Sequence, residues 1–93
     1  MIIGILQIEL RFPESQSLKD KRMILKSLKD RLRQQFNISV SELDYQESWQ
    51  RALLGIAAIG GDKRYTNGLL SKVLDWVAED RSAELVSSHM ELL

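Results

Sequence analysis

Apolar residues change their spacing along this chain, and the order of those changes constrains the fold more than any single motif does. The stretch IIGILQIELRF, residues 2–12, is rich in β-branched residues and predicts a strand. Pro13 ends this strand, because proline donates no backbone hydrogen bond. Three further strands are predicted over 38–44, 49–60 and 83–93, and helical spacing predicts helices over about 17–36 and about 63–80.

The predicted elements follow one another as β-α-β-β-α-β. A short connection joins the second and third strands, which favours an antiparallel hairpin. The right-handed crossover rule places both helices on one face of the sheet. We therefore predict one domain over residues 1–93 with an α+β, ferredoxin-like fold, in which a four-stranded antiparallel sheet carries two helices on one face. The other face of the sheet then has no helix to cover it.

Residues with capping chemistry mark the ends of both predicted helices. Ser17 is placed to cap the first helix, and Asp20 can complete a capping box three positions later. Asn37 can close that helix by taking the left-handed conformation. Asp62 follows two glycines and is placed to cap the second helix. The predicted buried face of the second helix consists of Tyr65, Leu69, Val73, Trp76 and Val77.

The first helix gathers positive charge on one side. Residues 17–36 contain seven of the 13 lysines and arginines, although the formal net charge of the chain is zero. An apolar stripe of Leu18, Leu25, Leu28, Leu32 and Phe36 spans roughly 80° of the helix. An adjoining sector of about 80° holds five cations, which we call the basic ribbon: Lys19, Arg22, Lys26, Lys29 and Arg33. Asp20 and Asp30 are expected to lie outside this ribbon.

The ribbon places like charges three and four positions apart, where they repel one another. A bound anion would relieve that repulsion, and a helix of this kind can follow an RNA phosphate backbone without reading sequence. A plain turn and helix cap is the favoured interpretation of the glycines before the second helix, and the alternative is a second phosphate contact at Lys63 and Arg64. For the ribbon, the alternative is an ordinary solvated face, neutralised by acids elsewhere in the fold such as Glu42, Asp44 and Glu47.

The uncovered sheet face is predicted to carry a second interaction surface. If Leu54, Ile56 and Ala58 point into the core, alternation along the strand places its other residues on the open face. The predicted members of this surface are Trp49, Arg51, Leu53, Ile3 and Ile5. Because aromatic residues are few, association of two copies of the chain suits this face better than base stacking does.

Three stretches resemble the YlxP-like family of small bacterial proteins of unknown function. They are SLKDKR at 17–22, SLKDRLRQQFNISVSELD at 27–44 and WQRALLGIAAIGGD at 49–62. The resemblance covers essentially the whole chain and implies a ferredoxin-like fold. It also implies a bacterial cytosolic protein whose gene lies near genes for translation and ribosome maturation. The family has no established catalytic residues, so the resemblance assigns none here.

The other candidate sites favour a protein without metal, cofactor or catalytic machinery. His89 is the only histidine and has no partner motif, and Glu42 and Asp44 are predicted to share one strand face without completing a metal site. Acylphosphatases share this order of elements. Here, however, the loop after the first strand, FPESQS at 12–17, lacks the glycines that let backbone N–H groups converge on phosphate. We therefore predict that the chain is not an enzyme.

Composition bears on where the protein works. There is no cysteine, no signal for export and no apolar run long enough to span a bilayer, so we predict a cytoplasmic protein that does not enter membranes. The leading hypothesis is a non-catalytic protein that binds RNA or a ribosomal particle through the basic ribbon. The alternative is a homodimeric structural or regulatory module that uses its open sheet face, with a protein partner.

Overall fold

The computed structural model describes residues 1–93, and it has the predicted order of strands and helices. The elements are β1 (Ile2–Arg11), α1 (Leu18–Gln35), β2 (Ser39–Asp44), β3 (Arg51–Gly60), α2 (Lys63–Glu79) and β4 (Glu84–Leu92). Neither helix combines the length and apolar character that a membrane span requires.

The four strands form one antiparallel sheet in the order β2-β3-β1-β4. The two central strands pair over ten residues, from Ile2 opposite Gly60 to Arg11 opposite Arg51. Together with the order of the elements, this arrangement confirms the ferredoxin-like α+β fold.

Both edge strands carry a bulge. The pairing of β2 with β3 shifts between Glu42 and Asp44, and the pairing of β4 with β1 shifts opposite Glu9 and Leu10. A bulge adds one residue to one strand and breaks the strict alternation of side chains there. Residues on either side of each shift are therefore assigned to a face of the sheet by the residue they pair with on the neighbouring strand. Odd and even residue numbers no longer distinguish the two faces there.

A single apolar core fills the space between the sheet and the helices. Alternate residues of β1 and β3 meet the buried stripes of both helices, and the fully buried members include Leu6, Ile8, Leu10, Leu28, Leu32, Leu54, Leu70 and Val73. Burying each large side chain stabilises the fold by about 1.5 to 3 kcal/mol. Gly4 lets α2 approach β1 closely, because a Cβ atom there would lie 2.7 Å from both Leu70 and Thr66.

The caps agree with the predictions only in part. The Ser17 hydroxyl accepts a hydrogen bond from the Asp20 N–H at 3.0 Å, and Asp62 accepts one from the Tyr65 N–H at 2.8 Å. The predicted capping box is wrong in one respect, because Asp20 accepts from the Gln16 N–H and not from that of Ser17. Asn37 does not adopt the left-handed conformation, since Tyr45 is the only non-glycine residue with a positive φ.

The predicted buried face of α2 is wrong at Tyr65, which is 59% exposed. The residues that α2 buries are Thr66, Leu70, Val73 and Val77, while Leu69 and Trp76 are half-buried at the edge of this stripe. At about 100° per residue, Tyr65 lies outside that sector, and Thr66 takes its place beneath Gly4.

Candidate nucleic-acid interface

Helix α1 presents the basic ribbon beside the stripe that it buries. Leu25, Leu28 and Leu32 are buried against the rest of the fold. Of the ribbon residues, Lys19, Arg22, Lys26 and Arg33 are exposed and Lys29 is half-buried. The ribbon extends over about 21 Å of helix, because each residue adds about 1.5 Å.

Asp30 lies against the ribbon, which makes the prediction that it would lie outside wrong. Its carboxylate is 2.8 Å from the Lys26 ammonium group and 3.5 Å from the Arg33 guanidinium group. The hydrogen bond from Lys26 is the main reason that the pKa of Asp30 falls below its ordinary value of 3.8, and nearby Arg33 and Lys29 add to the effect. Arg33 also donates to the Val40 carbonyl oxygen at 2.9 Å. Lys26 and Arg33, two of the five ribbon cations, therefore already have partners within the fold.

The rest of the ribbon keeps its charge unpaired. Lys19, Arg22 and Lys29 form no ion pair. Of the acids expected to neutralise the ribbon, Glu42 pairs with Lys21, while Asp44 and Glu47 form no ion pair with any ribbon residue. One carboxylate thus faces five cations, and the ribbon retains an excess of positive charge.

The most unusual cation on α1 is one that the sequence analysis did not single out. Lys21 is completely buried, and its ammonium group donates to a Glu42 carboxylate oxygen and to the Tyr45 carbonyl oxygen, both at 2.8 Å. A signal was present, because 100° per residue places Lys21 in the middle of the apolar stripe. Lys21 joins α1 to the end of β2 and to the loop that follows it.

Arg31 is also outside the ribbon and is held by α2. It forms an ion pair with Asp80, and its guanidinium carbon lies 5.4 Å from the centre of the Trp76 ring. Burial alone would raise the pKa of Asp80, but hydrogen bonds from Ser82 and Arg31 outweigh burial and keep the pKa below the ordinary value of 3.8. Phe36 meets Trp76 edge-on at 6.5 Å. These contacts fix α1 against α2.

Lys63 and Arg64 are exposed on the first turn of α2, away from the start of the ribbon. Helix α2 begins where Gly60 pairs with Ile2, whereas α1 begins beyond the opposite end of β1. Ten paired residues separate these two ends by roughly 30 Å. The N-terminus of α2 already donates the Tyr65 N–H to the carboxylate of Asp62, so the glycines and Asp62 act as a turn and cap.

The open sheet face differs from the predicted surface at Trp49. Strand β3 begins at Arg51, so Trp49 lies in the preceding loop, where it is 56% exposed. Strand pairing places Ile3, Ile5, Leu53 and Arg51 on the open face, as predicted. Arg51 is already partnered there. It lies 3.3 Å from Glu9 and 3.9 Å from the centre of the Tyr45 ring.

Glu42 and Asp44 do not share a strand face. Glu42 pairs with buried Leu54 and points towards α1, while the bulge places Asp44 opposite Leu53 on the open side. The prediction that alternation would bring them together is wrong, because the extra residue reverses the alternation. His89 lies on β4, opposite Gln7, with Glu91 as its hydrogen-bond partner at 2.8 Å.

Comparison with known proteins identifies the family. A family model described as a protein of unknown function (DUF503) matches residues 3–90. The chain belongs to the DUF503 family. The uncharacterized protein YlxP of Bacillus subtilis (strain 168) is 38% identical to it over 76 residues, which cover 82% of this chain and 83% of that protein. The resemblance to YlxP-like proteins is thereby confirmed.

In this DUF503 member, two of the stretches that carried the resemblance supply the contacts that hold the loop over 45–50. Lys21, from SLKDKR, holds the Tyr45 carbonyl oxygen. The side-chain amide of Gln50, from WQRA, donates to the Ser15 carbonyl oxygen at 3.0 Å. The main-chain carbonyl oxygen of Gln50 accepts from the Phe12 N–H at 2.9 Å. The loop over 45–50 is therefore attached to α1 on one side and to the segment before α1 on the other.

Proposed function

We propose that this protein is a non-catalytic, cytoplasmic RNA-binding protein that docks on a phosphate backbone, in the first instance that of a ribosomal particle, through the basic ribbon of α1. The observation that carries the proposal is the unpaired charge of Lys19, Arg22 and Lys29 on an exposed helix side. The chain as a whole is neutral, so this charge is local and gives the protein one cationic side.

The spacing of the ribbon supports a linear anion as its partner. Its members alternate between steps of three and four residues, from Lys19 to Arg22, Lys26, Lys29 and Arg33. Like charges at these spacings destabilise a helix by a few tenths of a kcal/mol per pair. Asp30 relieves the pairs near the end of the helix, but no carboxylate relieves Lys19 and Arg22. A phosphate backbone would relieve both and would release counterions on binding.

Ribosomal RNA is the first RNA to test, because resemblance to the YlxP-like family implies a gene among translation genes. The ribbon offers charge and no exposed aromatic stack, so we expect binding to structured RNA to depend weakly on base sequence. Each phosphate contact should contribute close to one unit, about 0.9 for a duplex, to the slope of log K against log salt.

The test is cosedimentation with ribosomal particles at low salt, using two variants with the same change in charge. Lys19→Glu with Arg22→Glu reverses the unpaired end of the ribbon. Lys72→Glu with Arg81→Glu makes the same change at exposed residues outside the ribbon. We expect the first variant to lose cosedimentation and the second to retain it, with both keeping the circular dichroism spectrum of the wild type.

Two results would contradict the proposal. One is a wild-type protein that stays in the supernatant at low salt, and the other is equal binding by the two variants. If wild-type protein instead retains an acidic protein and no RNA from an extract whose RNA is intact, the ribbon serves a protein partner, which is the alternative function.

A further inference from the structure

The sheet face opposite the helices is uncovered and has an apolar centre. Strand pairing puts Ile3 beside Ile59 and Ile5 beside Ala57 on this face. Ile59 is 65% exposed, and Leu43, at the β2 edge, is 47% exposed. Large exposed aliphatic side chains grouped on one face mark an interaction surface more strongly than single ones do.

The shape of this face combines a ridge with a groove. Ile5 and Gln7 of β1 form the ridge. Beside it lies a groove of about 310 Å³ whose floor is Gly55 and Ala57 of β3 and whose far wall is formed by β2. The small floor residues stand directly opposite the large ridge residues in the strand register. Leu43 closes one end of the groove, where it lies over Gly55.

We propose that this face is a homodimer interface, in which the β1 ridge of each copy enters the β3 groove of the other. A two-fold axis parallel to the strands, between β1 and β3, sets each β1 against the partner's β3. Ile5 then meets the partner's Ala57, and the partner's Ile5 meets Ala57, as a self-complementary interface requires. Face-to-face sheets pack with their strands within about 30° of each other, which this arrangement allows.

The size of the face suits a second copy of the chain. Strands of 10, 6, 10 and 9 residues, at about 3.3 Å per residue and about 4.8 Å between strands, offer roughly 550 Å² per copy. Two such faces bury about 1,100 Å², above the roughly 1,000 Å² that a specific interface should exceed. The rim is polar, and its Glu9–Arg51 and His89–Glu91 contacts close within one copy. Dimerisation therefore leaves these two contacts intact.

The proposed dimer is independent of the proposed RNA contact. Helix α1 packs on the opposite face of the sheet, as the pairing of Glu42 with Lys21 on that face shows. Both basic ribbons would stay exposed on the outer sides of the dimer. Loss of dimerisation and loss of RNA binding can then be measured separately.

The test is the molar mass of the full chain by light scattering and sedimentation equilibrium, from micromolar to millimolar concentrations. We expect wild type at twice the 10.7 kDa chain mass. Ile59→Glu puts a charge beside Ile3 on the apolar part of the face, and Ser41→Arg puts one in the groove wall at an exposed polar position. Both copies carry each substitution, so it appears twice in the two-fold interface. We therefore expect the dimer dissociation constant to rise at least about a hundredfold.

Met23→Glu is the matched control, because Met23 is 63% exposed on α1, close to the 65% of Ile59, and lies away from the open face. We expect this variant to dimerise like wild type. The proposal is overturned by a wild-type protein that is monomeric throughout the range. It is equally overturned by Ile59→Glu and Ser41→Arg proteins that remain dimeric, or by a Met23→Glu protein that dissociates as they do. Circular dichroism establishes that each variant is folded.

Discussion

The buried ammonium group of Lys21 offers the sharpest test of how this fold is held together. The side chain of Lys21 is 1% exposed and that of Glu42 is 18% exposed, and Lys21 makes the two hydrogen bonds to Glu42 and the Tyr45 carbonyl. Lys21→Met keeps an unbranched side chain of similar length but removes the charge. Glu42 then remains as a largely buried carboxylate with no cation, and the Tyr45 carbonyl oxygen keeps only its hydrogen bond from the Ser48 N–H.

Removing one member of a buried ion pair destabilises a protein by about 3 to 5 kcal/mol. Water can reach part of Glu42, so we expect the lower end, about 3 kcal/mol. A domain of this length has a stability of roughly 5 to 14 kcal/mol, so the loss is a large part of the total. In Lys21→Met with Glu42→Leu, no charge is left behind. We expect that double variant to lose only about 1 kcal/mol, from the lost Lys21 hydrogen bond to the Tyr45 carbonyl.

Urea unfolding followed by tryptophan fluorescence measures these differences. A loss of 3 kcal/mol lowers the midpoint by about 1 to 3 M urea. Lys72→Met, at an exposed position of α2, is the control and should change stability by less than about 0.5 kcal/mol. The reasoning fails if Lys21→Met costs less than about 1 kcal/mol, or if the double variant is less stable than Lys21→Met alone.

Three further predictions follow from other contacts. Asp80→Asn should cost about 1 to 2 kcal/mol at pH 7. Because the folded-state pKa of Asp80 is lowered, the difference in free energy of unfolding between wild type and Asp80→Asn should be fully present above the unfolded-state pKa near 3.8. It should shrink as the pH falls through the folded-state pKa. A difference in urea unfolding that is the same at pH 7 and pH 3 would contradict the assignment. Gly4→Ala should cost about 1 to 3 kcal/mol in urea unfolding through contact with α2, whereas Gly61→Ala, with nothing within 4 Å, serves as the control, and equal effects would refute the close approach. Lys19→Gln with Arg22→Gln should lower the salt slope of RNA binding by about two units. Lys72→Gln with Arg81→Gln should leave that slope unchanged, and equal slopes for both pairs would place the phosphate contacts elsewhere.

The fold was predictable because its local patterns agree with one another. Leu6, Ile8 and Leu10 alternate with Gln7 and Glu9 along β1, and the buried set is the apolar one. Caps at Ser17 and Asp62 mark the starts of both helices through hydrogen bonds to residues only three positions away. Information of this kind is local, so one sequence is enough to read it.

The errors arise where side-chain contacts or a strand bulge decide the outcome, because the spacing of apolar residues does not encode either of them. Lys21 is buried because β2 brings Glu42 to it, and the bulge that separates Glu42 from Asp44 has no local sequence signal. Trp49 stays outside β3 because Ser48 accepts hydrogen bonds from the N–H groups of Gln50 and Arg51. Asp30 reaches the ribbon because Lys26 and Arg33 have long side chains, so a small angular gap on the helix does not separate the charges.

The bulges in the two outer strands have a consequence for how the protein behaves at high concentration. A regular outer strand exposes a row of N–H and C=O groups on which a foreign strand can grow into a fibril. In β2 and β4 that row is interrupted by one extra residue, which shortens the run of N–H and C=O groups that an incoming strand can pair with in register. The bulges thus disfavour the repeated addition of strands at the edges of the sheet, and we expect concentrated solutions not to form amyloid.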